Sequence, residues 1–98
     1  MTNGSLQSDL QTLHEHLAAT SERPVERTAS RWIGESEAIA DDLVGRDADP
    51  DVVAERIGHV VDLLANVDTT EDAAADEHVD AARTVAAEIL EAVDESDG

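Results

Sequence analysis

Apolar residues recur along this chain at steps of three and four, the spacing that gathers side chains on one face of an α-helix. Leu6, Leu10, Leu13 and Leu17 make the first such stripe, with Ser5 or Ser8 available as a cap. A second stripe, Val25, Ala29, Trp32, Ile33, Ser36, Ile39, Ala40 and Leu43, predicts a helix that opens near Pro24 and stops at Gly45. The third helix is expected to open at Asp49-Pro50, a cap followed by proline at the first helical position, and to end near Asn66. It would bury Val53, Ile57, Val60, Val61 and Leu64. Thr69 and Thr70 are the candidate caps of a fourth, with Glu71 and Asp72 suited to the positive end of its dipole. Its stripe is Ala75, Val79, Ala82, Ala86, Ile89, Leu90 and Val93.

No segment alternates with the period of two that a half-buried strand requires, and no Asn-Gly hairpin turn lies between apolar runs. The expected fold is all-α: an antiparallel up-down-up-down four-helix bundle over residues 6–93, preceded by a flexible N-terminus at 1–5 and followed by a disordered acidic tail at 94–98. Many inward positions are alanine, so each residue buries little area. Stability is expected to rest on the Leu, Ile and Val positions, with Trp32 as the core anchor.

Charge changes the picture of the surroundings more than of the fold. The chain carries 24 Asp and Glu against 6 basic residues, all six of them arginine, for a formal net charge of −18 on 98 residues. Self-repulsion of that size weakens a small compact state in dilute buffer. At molar ionic strength the Debye length falls to about 3 Å and the carboxylates hardly sense one another. The expectation is a protein of an extreme halophile that accumulates salt in its cytoplasm. High charge with a single aromatic residue also resembles the signature of disorder, but 41% apolar content placed at helical spacing argues for a folded core. Cysteine is absent, which removes disulfides, thiolate metal sites and cysteine nucleophiles. No apolar run approaches the roughly 20 residues of a membrane span, and residues 1–8 lack the basic and apolar regions of a signal peptide, so a cytoplasmic location without membrane partners is expected.

Few residues offer chemistry. Asp47, Asp49 and Asp51 alternate as the opening ligands of a calcium loop do, but Val52 stands where that loop needs glycine and Gly58 where it needs a bidentate glutamate. They read as an acidic helix cap. His14 and His16 point roughly 200° apart on one helix and cannot chelate one ion from it. His59, with Glu55 four residues before and Asp62 three after, is the workable metal-ligand set and the basis of an alternative reading as a small-molecule or metal-binding bundle, with catalysis as an option of that alternative alone. No Glu is followed by His at the third position, as the di-iron bundles require, and neither a Gly-x-Ser-x-Gly elbow nor a phosphate loop is present. Neither an enzymatic activity nor a cofactor is expected.

The local departure from acidity is Arg23, Arg27 and Arg31, whose spacing of four places them on one stripe of the second helix, opposite the core and continued by Gly34 and Ala38. Intrahelical pairing, as of Arg31 with Glu35, is one use of them. The other is an edge that docks an acidic protein partner or a second copy, since guanidinium groups bind carboxylates in a bidentate fork. Nucleic acid is not an expected partner, because the net charge repels phosphates.

Residues 23–43, Arg-Pro-Val-Glu-Arg-Thr-Ala-Ser-Arg-Trp-Ile-Gly-Glu-Ser-Glu-Ala-Ile-Ala-Asp-Asp-Leu, and Arg56-Ile57-Gly58-His59-Val60-Val61-Asp62-Leu63-Leu64 after them resemble the small uncharacterised acidic all-helical proteins of haloarchaea, a domain of unknown function. That resemblance implies a helical bundle and carries no activity or site residues. The expected function is a non-enzymatic protein-protein interaction or homo-oligomeric module, with Arg23, Arg27 and Arg31 as its contact.

Overall fold

The computed structural model describes residues 2–23, 25–46 and 48–97, and the side chains of 6–94 among them. Four helices occupy the chain, α1 (Thr2–Ser21), α2 (Arg27–Leu43), α3 (Pro50–Ala65) and α4 (Ala73–Asp97), and no strand occurs among the described residues. The helical backbone of α1 and α4 thus includes positions 2–5 and 94–97, outside the 6–93 expected for the bundle. Each helix packs on its neighbour in the chain, and α1 also packs on α4, whereas the pairs α1/α3 and α2/α4 do not meet. That ring of contacts is consistent with a bundle. Its extents are 39 × 19 × 18 Å, about two helix diameters across.

The apolar stripes become the core. Leu10, Leu13 and Leu17 of α1, Ala29, Ile33, Ala40 and Leu43 of α2, Val53, Ile57, Val60 and Leu64 of α3, and Val79, Ala82, Ala86 and Ile89 of α4 belong to one hydrophobic cluster. Two buried apolar residues fall outside the predicted stripes, Leu63 on α3 and Val67 in the α3–α4 connection, while Val61 and Leu90 are only partly buried. Trp32 is not the core anchor. It packs partly buried against the cluster, whereas Ile33 beside it is fully enclosed. The indole is too large for the narrow, alanine-lined centre, so the smaller β-branched neighbour takes the inward position and the indole covers its flank. Two buried hydroxyls are satisfied within their own helices: Thr20 donates to the carbonyl of His16 at 2.8 Å and Ser36 to that of Trp32 at 3.0 Å.

The helix ends differ in detail from the sequence pattern. α2 opens at Arg27 behind the cap residue Glu26, and Pro24, where it was expected to open, lies outside the described residues. Asp49 is the cap residue of α3 with proline next to it, as the pattern predicts, but its side chain makes no capping hydrogen bond. Asp47, the first of the alternating aspartates, lies outside the described residues. Gly45 ends α2 with φ of +78°, a left-handed conformation that glycine adopts without strain.

Candidate functional site

One end of the molecule gathers the α1–α2 and α3–α4 connections into a polar cluster built around a buried threonine. Thr70 is fully enclosed; its N–H and its hydroxyl both donate to Asp76 Oδ1, at 2.7 and 2.9 Å, and its carbonyl accepts from the Glu26 N–H at 2.9 Å. Thr69 adds a third donor to the same carboxylate. Asp72, not either threonine, caps α4 by accepting from the Ala75 N–H at 2.9 Å, and Glu26 caps α2 by accepting from Thr28 and Ala29. These donors hold three carboxyl groups below the usual carboxylate range: Asp76 chiefly through the Thr70 N–H, Glu26 through the Thr28 N–H, and Asp72 through the Arg23 guanidinium followed by the Ala75 N–H. Between α2 and this cluster lies an open depression of about 320 Å³ whose lining includes Glu26, Asp68 and Glu71, a ring of charge that repels anionic ligands.

The expected arginine stripe does not survive whole. Arg23 precedes α2, and its Nε donates to Asp72 Oδ1 at 2.8 Å, so this residue ties the first connection to the start of α4. Arg27 and Arg31 do lie one turn apart on α2, both exposed. Arg46, Arg56 and Arg83 each reach a carboxylate, Asp42 for the first two and Asp80 for the third. Arg83 also donates to the carbonyls of Leu64 and Val67 and closes the end of α3. Arg27 and Arg31 form no ion pair among the described residues; Glu35 does not engage Arg31.

The histidines are arranged otherwise than their sequence neighbours imply. Glu55, His59 and Asp62 are all exposed, and among the described residues no three His, Asp or Glu side chains gather as a metal-holding group. His14 lies 3.4 Å from Asp41 of α2. His16 reaches across to α4, where its Nδ1 sits 3.1 Å from Nδ1 of His78. Sequence reasoning missed this pair because the partners are 62 residues apart and only the packing of α1 on α4 brings them together.

Four packed helices with a polar cluster at one end define the class of this protein by its fold. Residues 9–96 match a family described as a domain of unknown function, DUF8152, and the chain belongs to that family. No curated protein and no solved structure matches it. No described helix is long and apolar enough to cross a membrane.

Proposed function

We propose that this protein is a salt-adapted, non-enzymatic association module of a haloarchaeal cytoplasm, an antiparallel up-down-up-down bundle that docks an acidic surface through Arg27 and Arg31. The observation that carries this reading is the state of those two arginines. In a chain with 24 carboxylates to 6 arginines, two adjacent guanidinium groups stand exposed on α2 without an ion-pair partner among the described residues. An acidic surface is the complementary chemistry, and a second copy of this chain supplies one. Guanidinium–carboxylate forks act at contact distance, so they persist at salt concentrations that screen longer-range attraction. Exposed Gly34 continues the stripe one turn on and lets a partner approach closely. The antiparallel reading is supported by connections of a few residues and by Gln7, early in α1, which bonds to Gly45 and Arg46 just beyond the end of α2.

The test is a double Arg27→Gln, Arg31→Gln variant at molar KCl, followed by light scattering and thermal melting. A lower association state with an unchanged melting temperature supports docking of a second copy. If the unaltered protein is monomeric at all concentrations, self-association is wrong and the edge is left to a different acidic protein. A variant that melts much earlier shows that the arginines are structural, and the proposal fails.

A further inference from the structure

We infer that His16 and His78 form a two-imidazole site for a divalent first-row transition cation, Cu²⁺ ahead of Ni²⁺ and Zn²⁺, which staples α1 to α4. The two Nδ1 atoms are 3.1 Å apart and the ring centroids 5.3 Å apart, so the rings meet almost end to end, tilted by 44°. Without an ion this is an N–H···N hydrogen bond in which one ring donates and the other accepts. Neither Nδ1 has any other partner among the described residues. An ion held about 2.0–2.1 Å from each nitrogen subtends an angle of about 100° across that 3.1 Å gap, close to the angle between neighbouring ligands of a tetragonal or tetrahedral site. Each ring has to turn about its Cβ–Cγ bond for the lone pairs to converge. Both are only partly buried, which leaves space for that turn and for the waters that complete the shell. Imidazole ligands and the general affinity order of divalent metals put Cu²⁺ first.

The charged groups around the pair supply a field and not ligands. Glu15 on α1 and Glu77 and Asp80 on α4 are exposed, and Asp76 is occupied by Thr69 and Thr70. From α2, Asp41 faces His14 and Glu37 accepts from Ser21. None of them bonds to either ring, so the protein gives two ligands and an ion must displace the proton the rings share.

Chelator-stripped protein in molar KCl is titrated with CuCl₂ and ZnCl₂ while thermal melting is followed. One equivalent should raise the melting temperature by about 5 °C once saturating. The rise should survive in His14→Gln and His59→Gln and be lost in His16→Gln and His78→Gln. ZnCl₂ should also shift the ring NMR signals of His16 and His78 in the unaltered protein, a readout that stands even where a variant fails to fold. A rise retained in His78→Gln, or ring signals of His16 and His78 that ignore Zn²⁺, overturns the proposal.

Discussion

Ile33 is fully enclosed where α2 meets the rest of the core, and truncating it leaves a cavity that helices already packed through alanine cannot close. Ile33→Ala should cost about 2–5 kcal/mol, a large part of the stability of a small domain. Trp32→Ala, which strips a flank and leaves the centre intact, should cost about 2 kcal/mol or less. Denaturant melts of the two variants give the order, and the reverse order would restore the indole as the anchor. At the polar end, Thr70→Val removes a buried hydroxyl and one of the donors on Asp76, at a cost of about 1–3 kcal/mol. Asp76 itself gives a pH signature. Its carboxyl is held below the ordinary 3.8 in the folded state, so its contribution is present above that value and is lost as pH falls through the lower, folded one. Asp76→Asn should lower the melting temperature at neutral pH, and the gap to the parent should close as pH falls below the ordinary carboxylate range. A constant gap across that range would show that the carboxylate's charge is not what the threonines hold. None of this cluster was readable in advance, because Thr69, Thr70, Glu71 and Asp72 are four consecutive residues suited to a helix start, and only the packing of Thr70 under Glu26 selects Asp72 as the cap.

Among the elements, the helices were legible and their ends were not. Each stripe follows from a period of three to four that an acidic surface leaves undisturbed, since the carboxylates occupy the outward positions. The start of α2 slipped from Pro24 to Arg27 because a glutamate, uncommon as a cap, accepts two N–H groups there. That slip is also why Arg23 left the stripe: an argument from helical projection holds only inside the helix. The pairing of His16 with His78 belongs to the contact between α1 and α4, and a pattern read along one helix has no access to it. Glycine offers a check on element stability. Gly58 lies inside α3 and nothing stands within 4 Å of a side chain added there, so Gly58→Ala should stabilise the protein by about 0.5–1 kcal/mol. Gly45→Ala has equal space but a backbone at φ +78°, and should destabilise by about 1 kcal/mol. Thermal melting of the pair separates backbone conformation from packing, and a loss at both positions would mean that α3 is more crowded at Gly58 than its surroundings show.

At the scale of the whole molecule, the charge is carried without being paired. Among the described residues the arginines reach only Asp42, Asp72 and Asp80, so most of the 24 acidic residues have no cationic partner. Neighbouring helices pack with axes about 8–10 Å apart. At about 0.1 M salt the Debye length is about 10 Å, and carboxylates on adjacent helices repel across the bundle; at about 1 M it is about 3 Å, and they do not. The lean core gives the fold little reserve against that repulsion. Helical circular dichroism at neutral pH should therefore fall as KCl is lowered from molar to about 0.1 M. Charge repulsion, as opposed to binding of a particular ion, predicts a second recovery: at about 0.1 M KCl, acidification to about pH 4 should restore helicity as the exposed carboxylates protonate. NaCl and KCl should also act alike at equal ionic strength. Full, cooperative helicity at low salt and neutral pH would show that the unpaired carboxylates are far enough apart to be harmless, and the acidic coat would then be no evidence of a salt-filled cytoplasm.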